Sequence, residues 1–151
     1  MFTPNIRGGS IPNFELEPLF PEAVQKQNPV VLVIDSDLNS LEFFRVFLKE
    51  NNCSMICANS LLEAMEKSKN RKIDLVVSEF LLGQHSCLEI IMLLRKTTPA
   101  LPVVIMSMHE DLISEKDALN FGADYFLEKP LQADKLHTII ENCTGHHQFA
   151  N

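Results

Sequence analysis

The sequence is short of positive charge. Thirteen Lys and Arg stand against twenty Asp and Glu, a formal net charge of −7. That balance disfavours non-specific binding to nucleic acid or to an anionic membrane surface. No apolar run approaches the roughly 20 residues that span a bilayer, and the chain does not open on a cationic, apolar, cleavable leader. None of the four cysteines, Cys53, Cys57, Cys87 and Cys143, sits in a Cys-x-x-Cys pair, so neither a thiolate metal site nor a disulfide framework is signalled. They read as small buried hydrophobes in a reducing, intracellular compartment. On that reading Asn52-Cys53-Ser54 and Asn142-Cys143-Thr144 are chance glycosylation sequons. Gly-x-x-x-x-Gly-Lys, Gly-x-Gly-x-x-Gly and His-Glu-x-x-His are also missing, which removes the usual phosphate-loop, dinucleotide and zinc-hydrolase signatures.

What is present fits one domain with tails: 151 residues, 46% of them hydrophobic. Residues 1–28 carry Pro4, Pro12, Pro18 and Pro21 with Gly8 and Gly9, a composition that resists a packed element and reads as an extended arm. Its middle, Asn13-Phe14-Glu15-Leu16-Glu17-Pro18-Leu19-Phe20-Pro21, mixes acids with bulky apolar residues. It reads as a passive leader, a docking segment for a partner, or a strap across its own domain. Residues 29–144 form the folded unit and 145–151 a tail, in which His146-His147 reads as solvated.

Within the folded unit, short apolar runs alternate with helical periodicity. The runs are Val30 to Ile34, Ser54 to Ala58, Ile73 to Ser78, Val103 to Met106 and Tyr125 to Leu127. Between them lie helices bearing Leu41, Phe44, Phe47 and Leu48; then Leu61, Leu62 and Met65 behind a Ser60 cap; then Leu88 to about Arg95; then roughly Leu112 to Phe121, stopped by Gly122. A last helix shows Ala133, Leu136, Ile139 and Ile140. Gly83-Gln84-His85-Ser86 reads as a loop, and Lys67 to Lys72 as a solvated helix end and turn. Five βα units in series predict an α/β fold: a five-stranded parallel sheet, doubly wound and flavodoxin-like.

In such sheets the crevice lies beyond the carboxyl ends of the strands. Asp35, Ser36 and Asp37 follow the first run, Glu79 the third, Ser107 the fourth, and Lys129 with Pro130 the fifth. Carboxylates, hydroxyls and one ammonium converging from four segments make sense for a small hard cation and an anion.

These residues and their spacing resemble the receiver domain of two-component response regulators. The likeness rests on Val31-Leu32-Val33-Ile34-Asp35-Ser36-Asp37, Asp74-Leu75-Val76-Val77-Ser78-Glu79, Pro102-Val103-Val104-Ile105-Met106-Ser107 and Gly122-Ala123-Asp124-Tyr125-Phe126-Leu127-Glu128-Lys129-Pro130. It covers about residues 29–142. It implies that Asp35 is the first residue of an acidic Mg²⁺-binding pair, Ser107 the switch hydroxyl, Phe126 the switch aromatic, and Lys129 the phosphate-contacting lysine, with Pro130 often behind a cis peptide. Ser36 departs from the second acid of the pair, with Asp37 a partial substitute. Glu79 departs from the phosphate-accepting aspartate, and Leu81-Leu82-Gly83-Gln84-His85 from the loop that usually follows.

Glutamate reaches further than aspartate by one carbon–carbon bond, roughly 1.5 Å, toward Ser107 and Lys129. The expectation is a non-enzymatic pseudo-receiver, with Glu79 paired to both groups in imitation of a phosphorylated aspartate. It requires no cofactor and has at most a weak Mg²⁺ site. Partners are proteins, a second copy among them, met through the face of the fourth helix, fifth strand and fifth helix. No direct nucleic-acid or membrane contact is expected, and the location is the cytoplasm, or the nucleus in a plant. Two alternatives stay open: a working receiver phosphorylated by a histidine kinase, and a small-ligand-binding flavodoxin-like protein.

Overall fold

The computed structural model describes residues 27–108 and 113–145. The apolar runs are strands: β1 (Val30–Ile34), β2 (Ser54–Ala58), β3 (Leu75–Glu79), β6 (Val103–Ser107) and β7 (Tyr125–Glu128) form one sheet in the order β2-β1-β3-β6-β7. All pairings in it are parallel. Consecutive apolar residues suit strands covered on both faces, and the side chains divide by the two-residue period of a strand. Leu32, Ile34, Val76, Val103 and Ile105 point to one core layer, covered by α2 (Leu61–Ser68), α3 (Leu88–Thr97) and α4 (Glu115–Asn120). Val31, Val33, Leu75, Val77, Val104 and Met106 point to the other, covered by α1 (Leu38–Glu50) and α5 (Ala133–Thr144). This is the doubly wound flavodoxin-like arrangement expected.

Local chemistry sets most boundaries. Asp37 caps α1 by accepting from the Asn39 amide at 2.9 Å, and Asn52, at φ 55°, turns the chain after it. Ser60 accepts from the Glu63 amide at 3.1 Å and starts α2 as anticipated. Gly122 sits at φ 104°, where a β-carbon would stand 2.9 Å from Arg95 Nη1. The backbone therefore favours glycine there, whereas the end of the flexible Arg95 side chain can shift to make room.

Two expectations need correction. The segment read as a loop over residues 83–86 belongs to a small antiparallel hairpin, β4 (Leu81–Leu82) and β5 (His85–Ser86), with Gly83-Gln84 at its tip. Burial of Leu82 in the α2–α3–α4 layer holds it in place. The fourth helix begins at Glu115 because Ser114 caps it, accepting from the Asp117 amide at 3.1 Å. Leu112, where it was expected to start, lies outside the described residues, as do residues 1–26 of the arm and His146-His147 of the tail.

Candidate functional site

Parallel strands end on the same edge, and register brings Asp35, Glu79 and Lys129 together there. Ile34 pairs with Ser78, Glu79 with Met106, and Ser107 with Glu128. Asp35 is wholly buried. Its Oδ2 accepts from Lys129 Nζ at 2.7 Å and its Oδ1 from the Asp37 amide at 2.9 Å. Lys129 Nζ also donates to Glu79 Oε1 at 3.4 Å. The other Glu79 oxygen, Oε2, accepts from the Ser36 hydroxyl at 3.0 Å and from the Ser36 amide at 3.4 Å. The ammonium is deeply buried, its side chain 8% exposed.

The sequence-predicted residues divide as follows. Asp35, Ser36, Glu79 and Lys129 form one bonded group. Lys129 gives its short bond to Asp35 and a longer one to Glu79, a different balance from the Glu79-centred pairing expected. Asp37 stands at the mouth, exposed, and its carboxylate is committed to the first turn of α1. Ser107 is buried at the end of β6, and its carbonyl accepts from the Lys129 amide at 2.9 Å. Phe126 is half-buried on β7, against the α2–α3–α4 layer. The Lys129–Pro130 peptide is cis.

The Ser36 hydroxyl donates to Glu79, a role sequence reasoning did not assign. The signal lay in the pairing of the two departures. A carboxylate at position 36 would repel Glu79, whereas a hydroxyl donates to it. Asp35 and Glu79 carry two negative charges against one on Lys129, and Ser36 adds none.

Asp35 and Glu79 are the carboxylates that would hold the Mg²⁺ that the fold family implies, and Ser36 offers it a neutral hydroxyl. Mg²⁺ takes carboxylate and carbonyl oxygens in near-octahedral geometry. Both carboxylates here are already bonded to one ammonium, and the third neighbour is a neutral hydroxyl bonded to Glu79. Among the described residues no three Asp, Glu, His or Cys side chains converge as a metal-binding set.

Beside the site a groove of about 360 Å³ runs between α4, β7 and α5. Its lining includes Lys129 and Pro130 together with Glu115, Phe126, Glu128 and Lys135. Exposed Leu119 and Phe121 on and just after α4 lie on the same side of the sheet as that helix. Among the described residues no helix is long and apolar enough to cross a membrane.

Comparison with known proteins agrees with this geometry. The transcriptional regulatory protein ZraR of Klebsiella oxytoca is 28% identical over 116 residues, 77% of this chain and 26% of that protein. The alginate biosynthesis transcriptional regulatory protein AlgB of Pseudomonas putida is 29% identical over 115 residues, 76% of this chain and 26% of that one. The chain thus spans about a quarter of the length of these curated relatives. Among solved structures, a response regulator receiver domain protein from Clostridium thermocellum superposes with a TM-score of 0.69 at 27% identity, covering 78% of this chain and 94% of that one. The beryllofluoride-activated DrrB receiver domain, at 19% identity and a TM-score of 0.69, shares the fold. The family model for the response regulator receiver domain matches residues 31–141, and the chain belongs to that family, the receivers of two-component response regulators.

Proposed function

We propose that this domain is a pseudo-receiver, a non-enzymatic interaction module that signals without being phosphorylated. The observation that carries this reading is the double engagement of the Glu79 carboxylate, with Ser36 on one oxygen and Lys129 on the other. The carboxylate stands where a receiver takes its phosphoryl group and already holds the lysine that would meet that group. It is therefore a fixed charge in place of a transferable one.

Phosphoryl transfer depends on positioning and on neutralising charge in the transition state. Here the nucleophile position is bonded on both oxygens, and the acid pair that would hold a metal is reduced to Asp35. The groove along α4, β7 and α5 supports a protein partner on that face, because Lys129 is among the residues that line it. A change at Glu79 reaches the partner surface through one side chain. No cofactor is needed for this role, and a second copy of the chain is one occupant the face would accept.

The test is phosphoryl uptake. Wild type incubated with acetyl phosphate and Mg²⁺ gains no phosphoryl mass, whereas Ser36→Asp/Glu79→Asp, which restores both family acids, does. Stoichiometric acyl phosphate on wild-type Glu79 would overturn the reading in favour of a working receiver. A capture experiment complements it. Wild type retains its partner proteins and Glu79→Ala loses them; equal recovery by both means that the crevice does not govern binding.

A further inference from the structure

A second groove, unused by the site, lies between the last turns of α2 and α3, with a volume of about 640 Å³. Ile73 and Leu101 line it, and they stand just before β3 and β6, so it opens at the amino edge of the parallel sheet. Asp35, Glu79 and Lys129 stand at the carboxyl edge. Met65, Leu93 and Leu94 add apolar surface to the groove, and Leu93 is 41% exposed. A cleft of this size, apolar with a few charged groups, is the usual form of a binding site.

The charge around it selects the occupant. Lys69, Arg71 and Lys72 line the groove and are exposed, and no Asp or Glu is among its described lining residues. Asn70, at φ 59°, makes the left-handed turn between them, a conformation that asparagine tolerates better than most residues. Lys72 Nζ lies 4.0 Å from Asp74 Oδ1. Lys69 and Arg71 have no ion-pair partner among the described residues. Lys67 and Lys96, in the last turns of α2 and α3, already meet the negative ends of those helices, so the three groove cations exceed what the helix dipoles call for. On a chain of net charge −7, such a cluster reverses the sign locally and draws a negative partner by complementarity. The apolar walls require that partner to bring bulky apolar groups too, which a bare anion lacks. A second copy docking symmetrically through the same face would set these cations against their own equivalents, and like charges oppose that pairing.

We infer that the α2–α3 groove docks an acidic peptide segment of a partner protein. Its apolar side chains lie against Met65, Leu93 and Leu94, and its carboxylates against Lys69, Arg71 and Lys72. The groove is then a second interaction surface, on the edge of the sheet away from the phosphoacceptor position and distinct from the face of α4, β7 and α5.

The experiment is an NMR titration of the full chain, methyl-labelled on Met and Leu, with a short synthetic peptide of glutamate interspersed with leucine and phenylalanine. The methyls of Met65, Leu93 and Leu94 shift and saturate below about 1 mM peptide, whereas a peptide of glutamate alone, with the same charge, leaves them in place. Lys69→Glu/Arg71→Glu melts with the wild type and binds the acidic peptide at least about tenfold more weakly. That variant instead takes the same peptide with lysine in place of glutamate, an outcome that a purely apolar association would not give. No saturable shift in the wild type, or equal binding by the variant, overturns the proposal. So do equal shifts with glutamate alone, which reduce the groove to a patch of charge. Methyl shifts that follow chain concentration without peptide assign the groove to a second copy, and peptide-free Overhauser contacts within one molecule assign it to another segment of the same chain; either result overturns it as well.

Discussion

Lys129 is the residue on which the acidic pocket depends. It is buried between Asp35, itself without solvent exposure, and Glu79. Removing one partner of a buried ion pair leaves the other as an uncompensated charge, at a cost of roughly 3–5 kcal/mol. Lys129→Met is therefore expected to lower the unfolding free energy measured in urea by an amount in that range, with the slope unchanged. In an Asp35→Asn/Glu79→Gln background the same substitution costs much less, since no buried carboxylate is left unpaired. Equal losses in both backgrounds would mean that the lysine contributes packing and not charge. A second residue-scale prediction concerns Cys87, fully buried at the N-cap position of α3. Burial pushes its thiol from 9.0 up to about 12. The unfolded chain releases this proton first as pH rises, so between about pH 9 and 12 it binds fewer protons than the folded chain. Stability is then full below pH 9 and falls through that window. Urea midpoints measured across it should drop more steeply in wild type than in Cys87→Ala; parallel slopes would remove Cys87 from the alkaline response.

At the scale of elements, caps and clamps explain how the site is held. Asp37 ends the β1 loop by donating its amide to Asp35 and begins α1 by accepting from Asn39. Asp37→Ala should cost about 1 kcal/mol, the usual worth of an N-cap, and lower the melting temperature by about 4 °C. Asn caps as well as Asp, so Asp37→Asn should melt with the wild type. A loss as large as that of Ala would show that the charge itself matters at the pocket mouth. Arg95 clamps three pieces of chain at once, donating to the carbonyls of Leu101 and Gly122 and to the carboxylate of Asp124. None of these bonds was legible, because Gly122 and Asp124 lie 27 and 29 residues away and two of the three acceptors are backbone carbonyls. What was legible were the elements with a strong local signal. The β1, β3 and β6 runs stand as consecutive apolar residues, and Ser60 and Gly122 are helix punctuation with a physical reason. The small hairpin after β3 was missed because one buried leucine holds it, and no periodicity develops over two-residue strands. In the site, Asp35, Glu79 and Lys129 were readable as polar strand ends. The Ser36 bond to Glu79 was not, since it depends on where a side-chain oxygen lies across two strands.

The whole molecule is two apolar layers separated by one sheet, and that division bears on how a change at the pocket travels. Ile90 of α3 lies in the layer with Leu32 and Ile105, while Ile140 of α5 lies in the layer with Val33 and Met106. Side chains of alternate parity on the same strands thus support different helices, and the two layers share backbone but few side-chain neighbours. Ile→Val in a core typically costs 0.5–1.5 kcal/mol. Ile90→Val and Ile140→Val should each fall in that range, roughly, and the double variant should equal their sum within about 0.5 kcal/mol, as for sites without common partners. A double-mutant cycle in urea measures the difference. Additivity would mean that the two layers pass little strain through the sheet, leaving the strand ends, where Lys129 meets Asp35 and Glu79, as the route from the pocket to the proposed partner face. A coupling well above 1 kcal/mol would instead mean that the sheet passes packing strain from one layer to the other, and the helices of both faces would then have to move together when the charge at Glu79 is changed.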